Sequence, residues 1–307
     1  MPSRPAASDP NLSTPRTFAV HGAVVAAQRL DPGLYVVSTP IGNLADVTLR
    51  ALAILAAADT ILAEDTRVTR RLLDHYAIAT KTAAYHAHNE HAGAGPIVER
   101  LSRGEAIALV SDAGTPLVSD PGAGLIQAAI AQGIPVFAAP GASAALAALA
   151  SSGLPAEPFF FEGFLPPKSA ARRARLNALV NVAATLVFYE APHRVPETLD
   201  DLATELGPRQ ACVARELTKL HEELRRGDLF ALARQWRAGA ETRGEFVIVV
   251  APPEAAAAAS DETVDDALRE ALVTLSVKDA AAAVAARFAL PRRDLYARAL
   301  AMARGRP

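Results

Sequence analysis

The chain has 307 residues, 51% of them hydrophobic, enough for two domains or for one domain with an appendage. Its 31 Lys and Arg stand against 33 Asp and Glu, which excludes a general basic coat for nucleic acid but leaves local patches open. No apolar run reaches the roughly 18 residues of a membrane span, and the single cysteine, Cys212, has no internal disulfide partner and reads as a buried thiol of a reducing cytoplasm.

Residues 1–30, rich in Pro, Ser and Ala, read as a disordered leader. The mildly apolar stretch 18–27 is interrupted by His21 and lacks a small-residue cleavage site, so it does not read as a signal peptide. From Gly33, strand and helix signals alternate. Leu34-Tyr35-Val36-Val37 is a short apolar run ending in Ser38-Thr39-Pro40-Ile41-Gly42-Asn43, a buried strand entering a tight loop. Asp46 precedes Val47, Leu49, Leu52, Ile54 and Leu55, predicting an amphipathic helix with Asp46 as its N-cap. Further strands are expected at 60–63, 107–110 and 135–138, the last followed by Pro140-Gly141 and an Ala-rich helix. Such alternation predicts a parallel sheet covered on both faces.

A second set of strands is expected at 159–161, 185–189, 211–214 and 246–250. The break at 151–158 separates two α/β domains, 31–153 and 154–252. The Pro-Pro and Ala-rich run at 251–260 reads as a linker. Residues 261–307 form a helical region with helices at 263–276, 278–289 and 292–302, the last two separated by Leu290-Pro291.

Four strands end in loops rich in Gly, Pro, Ser, Thr and Asp: 38–43, 111–122, 140–143 and Glu190-Ala191-Pro192-His193-Arg194. Ligands of open parallel sheets bind beyond the carboxyl ends of the strands, and glycine lets backbone approach them closely. One such loop is only a turn; several at successive strand ends predict a cleft. There is no phosphate-binding Gly-x4-Gly-Lys-Ser/Thr, no Gly-x-Gly-x-x-Gly after the first strand and no Gly-x-Ser-x-Gly elbow. A dinucleotide enzyme, a nucleoside triphosphatase and a hydrolase of the serine-elbow kind are therefore disfavoured.

The blocks Leu34 to Leu44, Ala63-Glu64-Asp65-Thr66-Arg67, Ser111 to Gly122, Tyr189 to Arg194, Arg215-Glu216-Leu217-Thr218-Lys219 and Gly244-Glu245-Phe246 resemble the ribosomal RNA small subunit methyltransferase I family of the tetrapyrrole-methylase superfamily. The resemblance runs from about residue 33 to 303 and leaves the leader outside it. It implies a two-domain tetrapyrrole-methylase-like α/β fold with a C-terminal helical appendage. It also implies a homodimer that uses S-adenosyl-L-methionine to methylate the 2′-oxygen of a cytidine in the decoding centre of 16S rRNA within the small subunit, in the cytoplasm. Cofactor contacts are implied from the loops matching Ile41, Thr115, Ser143, Ala144, Phe164, Leu165 and Glu245, with Asp112 and Gly114 beside Thr115. Where many tetrapyrrole-methylating relatives carry Gly-Asp-Pro, this chain has Gly114-Thr115-Pro116, which favours the ribosomal branch and leaves the role of Asp112 open.

Methyl transfer is an in-line displacement that depends above all on alignment. A ribose hydroxyl is a weak acid, so a positioned base assists. Asp65, Glu190 and His193, all at predicted strand ends, are the candidates; equally, Asp65 can pair with Arg67, and Glu190 or His193 can orient a loop. His86, His88 and His91 beside Glu90 have a metal-like look, but they lie on an expected loop without cysteine, and no metal is expected. The helix from Lys168 carries Arg172, Arg173 and Arg175, read as a basic edge for phosphate against the plainer reading of a solvated face. Arg287, Arg292, Arg293 and Arg298 lie on the two last helices, whose tight turn resembles a helix-turn-helix; a plain packing hairpin is the rival. Two other functions stay open: a tetrapyrrole-type small-molecule methyltransferase, and a non-catalytic cofactor-binding RNA-binding protein.

Overall fold

The computed structural model describes residues 16–86, 90–254, 261–288 and 290–304. Its first element corrects the expectation of a disordered leader extending to residue 30. β1 (Thr17–Val20) and β2 (Ala23–Ala26) form an antiparallel hairpin in which Val20 pairs with Ala23. Both intervening residues have positive φ, 49° at His21 and 80° at Gly22, as a two-residue primed turn requires. His21 is thus turn chemistry rather than an interruption. Phe18 is buried in one apolar cluster with Ala51 and Leu52, and the Ala19 N–H donates to the Tyr76 carbonyl at 2.7 Å. Residues 1–15 of the expected leader lie outside the described residues.

The alternating segment follows as β3 (Gly33–Val37), α1 (Leu49–Ala57), β4 (Thr60–Ala63), α2 (Thr66–His75), β5 (Thr82–Ala84), α3 (Glu90–Ser102), β6 (Ala106–Val110), α4 (Ala123–Ala131), β7 (Val136–Ala139) and α5 (Ala144–Ser152). The strands form a sheet of order β5-β4-β6-β3-β7 in which every pairing is parallel. β3, β4 and β6 are buried along their whole length, which is why they read as apolar runs rather than alternations. Successive side chains still point to opposite faces: Leu34 joins Leu62, Leu109 and Leu125 on one face, while Val37 joins Leu55, Ile61 and Ala108 on the other. Each such fully buried Leu, Ile or Val contributes about 1.5–3 kcal/mol.

Two local expectations change. α1 is capped by Thr48, whose hydroxyl accepts from the Ala51 N–H at 3.1 Å, and not by Asp46. Asp46 instead closes a short 3-10 turn that Asn43 caps, and this turn delays the helix. Glu90 and His91 open α3 rather than sit on a loop, and His88 lies outside the described residues.

The second half comprises β8 (Phe159–Phe164), α6 (Ser169–Leu179), β9 (Thr185–Glu190), α7 (Val195–Leu206), β10 (Gln210–Arg215), β11 (Glu223–Asp228), α8 (Leu229–Arg237) and β12 (Phe246–Val250). Its sheet has the order β11-β10-β12-β9-β8, with β8 and β9 parallel and the other pairings antiparallel. The edge strand β11, Glu223-Leu224-Arg225-Arg226-Gly227-Asp228, is too polar to announce itself, and its charges suit an edge. One face packs on α6, α7 and α8 through Leu176, Leu199, Leu202, Leu232 and Trp236. The other receives α5: Ala145, Ala148 and Leu149 lie against Val187, the fully buried Cys212, Val247 and Val249. The Ala-rich sequence of α5 thereby lets the end of the first half lie close on the second sheet.

The arginines of α6 are not a basic edge. Arg172 is 1% exposed; its Nε donates to Asp201 at 2.7 Å and a terminal nitrogen lies 3.8 Å from Glu197. Arg173 pairs with Glu205 and Arg175 with Glu162, each at 2.6 Å. All three charges are neutralised in tying α6 to α7 and to β8.

Residues up to Ala251 form one compact unit and Pro252 onward a second. Within the latter, α9 (Asp261–Thr274), α10 (Val277–Phe288) and α11 (Arg292–Arg304) pack around Val264, Leu268, Ala281, Val284, Leu295 and Ala299. Ser276 caps α10, its hydroxyl accepting from the Asp279 N–H at 3.2 Å and donating to the Asp279 carboxylate at 2.6 Å.

Candidate functional site

The loops at the carboxyl ends of β3 and β6 bind each other. The Thr39 N–H donates to the Gly114 carbonyl at 2.8 Å, and the Gly114 N–H returns the bond to Thr39 at 3.0 Å. The Thr39 hydroxyl donates to the Ser111 carbonyl at 3.1 Å. Ser38 and Thr115 share a hydroxyl hydrogen bond of 3.0 Å, and the Thr115 hydroxyl also lies 3.3 Å from the Ala142 carbonyl of the loop after β7. Gly114 has φ 79°, and a Cβ there would come within 3.4 Å of Ile41. Short hydroxyl residues and this glycine thus knit the three loops into one wall.

The opposite wall comes from the second sheet. In a regular strand Phe161 and Phe164, three residues apart, would face opposite sides. A register shift between Phe161 and Gly163 adds one residue to β8, so both rings meet Tyr189, with centroids at 4.9 and 5.7 Å. The extra residue, Glu162, is the one Arg175 holds. The Tyr189 hydroxyl accepts from the Ala145 N–H at the start of α5, at 3.3 Å.

Between the walls is a cleft of about 370 Å³. Of the residues expected to bind cofactor, Ile41, Asp112, Gly114, Thr115, Ser143, Ala144, Phe164 and Glu245 line it. Leu165 does not; its side chain is 2% exposed and packs in the core beside α6 and α7, while its carbonyl accepts from Arg194 at 2.7 Å. Four carboxylates, Asp112, Asp120, Glu190 and Glu245, line the cleft, and none of its described lining residues is Lys, Arg or His.

The three candidate bases occupy different settings. Asp65 is not a lining residue. It caps α2, accepting from the Arg67 N–H at 2.8 Å, and its hydrogen bonds with the Arg67 side chain and backbone hold its carboxyl down at about 2. His193 is exposed in a 3-10 turn and is not a lining residue either. Glu190 lines the cleft, but its buried carboxylate is committed: the Thr198 hydroxyl donates to it at 2.6 Å, the Ala191 N–H at 2.8 Å, and Arg194 lies 3.2 Å away.

Two residues absent from the expected set stand out. Asp120, on the loop after β6, has its carboxyl raised to about 6 by burial first and then by the charge of Glu64, with Asp112 adding to the rise and a hydrogen bond from Ser111 opposing it. Burial, followed by the charge of Asp112, likewise raises Glu64 at the end of β4. The sequence signal was present, since Asp120 lies inside the Ser111–Gly122 block, but its proximity to Glu64 depends on β4 and β6 being neighbours. Tyr189 is the other; burial raises its phenol, so it stays neutral.

Comparison with known proteins adds an independent line. Residues 33–233 match the family model for tetrapyrrole (corrin/porphyrin) methylases, and residues 257–303 match that of the RsmI C-terminal HTH domain. The chain is 52% identical over 227 residues to ribosomal RNA small subunit methyltransferase I of Mesorhizobium japonicum, covering 74% of this chain and 77% of that one. It is 45% identical over 269 residues to the protein of the same name from Vibrio cholerae, covering 86% and 93%. Among solved structures, uroporphyrin-III C-methyl transferase from Thermus thermophilus, in complex with S-adenyl homocysteine, superposes with a TM-score of 0.51 at 18% identity, covering 71% of this chain and 97% of that one.

Proposed function

The chain belongs to the ribosomal RNA small subunit methyltransferase I family of the tetrapyrrole-methylase fold, and from that premise we propose that it methylates the ribose 2′-oxygen of a cytidine in the decoding centre of 16S rRNA, using S-adenosyl-L-methionine. The observation that carries the reading is the charge of the cleft: none of its described lining residues is basic, and of its four carboxylates two, Asp112 and Asp120, form no ion pair among the described residues, while Glu190 and Glu245 are paired with Arg194 and Lys219. Such a cavity suits a cation and repels phosphate. S-adenosyl-L-methionine supplies, when bound, an electrophilic methyl group on a positively charged sulfur. Ile41, Gly114, Thr115, Ser143, Ala144 and Phe164 are the residues that would hold it, the small ones giving backbone access and the aromatic ring an apolar face. The glycine at 114, whose φ of 79° disfavours any side chain, fits that role.

Because the cleft repels phosphate, the RNA backbone is bound elsewhere and only a sugar enters. The C-terminal helices supply a candidate surface. Arg292 and Arg293 are exposed at the start of α11, where the helix dipole disfavours cations by about 0.3–1 kcal/mol each. A helix that tolerates this cost without a packing return reads as a phosphate contact. Arg298, by contrast, lies 3.8 Å from Asp265, and Arg287 lies over the Phe288 ring. Replacing Arg292 and Arg293 by Ala should weaken binding to the small subunit and flatten its salt dependence by up to about two units of slope, with cofactor affinity unchanged. Wild-type affinity and slope in the double variant would leave α10 and α11 a packing hairpin.

The same proposal includes a homodimer in the cytoplasm; light scattering at micromolar concentration should return twice the chain mass, and a single-chain mass would contradict it. No helix of the described residues is long and apolar enough to cross a membrane. The function itself is tested by incubating the protein with small subunits lacking the modification and with methyl-labelled cofactor. Transfer to one cytidine of the subunit, and not to free cytidine, is the expected result, since a lone nucleoside offers too few contacts for selection.

A further inference from the structure

We propose that Asp120 is the catalytic proton acceptor, taking the proton of the ribose 2′-hydroxyl as the methyl group is transferred. The inference rests on the functional reading above and replaces the three bases expected from sequence. Its ground is the geometry of the cleft. Each of the other lining carboxylates is engaged. Glu190 receives hydrogen bonds from Thr198 and Ala191 and lies beside Arg194. Glu245 is paired with Lys219 at 3.1 Å and is 71% exposed. Asp112 is exposed and accepts the Asp65 N–H at 2.9 Å. Asp120 is half-buried in the cleft wall and forms no ion pair with a Lys, Arg or His of the described residues.

Its surroundings suit the task. The groups facing it are Glu64 from the end of β4, Asp112 and Ser111 from the end of β6, and Tyr189 from β9. His86 acts on Glu64 in the opposite sense. Burial and the two carboxylates bring the Asp120 carboxyl to about 6, close to where a base is both mostly ionised near neutrality and strong enough to help. Asp65 at about 2 is too weak a base, and Tyr189 keeps its proton.

The step balances. The O2′–H bond breaks and its proton moves to a carboxylate oxygen of Asp120. The oxygen's electron pair forms the new O–CH3 bond, and the S–CH3 bond breaks with its pair left on sulfur. One positive and one negative charge disappear together in a half-buried cleft, where separated charges are costly. A cation in the cleft also draws the Asp120 titration downward, so the base is ionised before transfer and regains proton affinity after it.

Three measurements on the full chain decide the matter. Asp120→Asn should lower kcat on small subunits at least about a hundredfold, while calorimetry finds S-adenosyl-L-methionine still bound, weakened by no more than about tenfold for the loss of one nearby charge. At cofactor concentrations well below saturation the wild-type kcat/KM should fall as pH drops below about 6, because the free protein must be ionised at Asp120; Asp120→Asn should lack this limb. In carboxyl-labelled, cofactor-free protein, the aspartate resonance that disappears in Asp120→Asn should titrate at about 6 and move lower in Glu64→Gln. A variant within about threefold of wild-type kcat that keeps the acid limb, or a midpoint near the ordinary aspartate value of about 4, overturns the inference alone. Failure of the wild type to methylate small subunits overturns the functional reading and the inference with it.

Discussion

Thr115→Arg should abolish binding of S-adenosyl-L-methionine, with a loss of at least about a hundredfold, or close to 3 kcal/mol. Thr115 stands where the loops after β3, β6 and β7 meet, bonded to Ser38 and near the Ala142 carbonyl. A guanidinium at this position finds Asp112 and Asp120 in the same cleft and is held inside by them, occupying the volume and cancelling the charge that a cationic ligand uses. Cys212→Ser is the control. Cys212 is fully buried in the layer between α5 and the second sheet and is not a lining residue. Its hydroxyl replacement should cost about 1–3 kcal/mol of stability through an unpartnered polar group and leave affinity as it was. Calorimetric titration of both variants separates the two effects; equal affinity in Thr115→Arg and wild type would place the cofactor outside this cleft.

Arg172→Ala should destabilise the protein by about 3–5 kcal/mol, since it removes a buried guanidinium and leaves the mostly shielded Asp201 without its cation, whereas Glu197 is exposed. Asp201 is 13% exposed at its side chain and also accepts from Ser169, so it cannot turn freely to water. Arg173→Ala, at a side chain 51% exposed, should cost no more than about 1 kcal/mol. Urea denaturation of the two variants measures the contrast. Small and equal losses, accompanied by weaker RNA binding in both, would restore α6 as a basic edge.

The case of α6 shows where sequence reading reached its limit. Arg172, Arg173 and Arg175 are indistinguishable in a list of charges; what separates them is which acid of α7 or β8 lies opposite, and that depends on packing between segments some 13 to 32 residues apart. The continuous apolar strands β3, β6, β9 and β12 were legible because burial on both faces writes itself as an unbroken apolar run. β5 and β11 were not, one for being three residues long and the other for the polarity of an edge. The hairpin at 17–26 was missed because a primed turn at His21-Gly22 looks like an interruption unless the pairing around it is considered.

The cleft was legible as a set of loops, since glycine, hydroxyl and acidic residues collect at strand ends, and eight of the nine cofactor residues expected from the family resemblance line it. The chemistry within it was not. Asp65 and Asp120 look alike in sequence, yet one is tied to Arg67 and lies at about 2, while the other faces Glu64 and Asp112 and lies at about 6. That difference is a property of neighbours across β4 and β6 and not of either residue's own segment.

The central claim, ribose methylation of small-subunit RNA by this chain, is tested most directly by mapping the 16S rRNA of cells that lack it. Nuclease fragments from the decoding centre, measured by mass, should differ from wild type at a single cytidine, lighter by one methylene and newly sensitive to alkaline cleavage on its 3′ side because the 2′-hydroxyl is free. Supplying the purified protein and S-adenosyl-L-methionine to subunits from those cells should restore both the mass and the resistance. Identical fragments from the two strains, or restored mass without restored alkali resistance, would contradict the account.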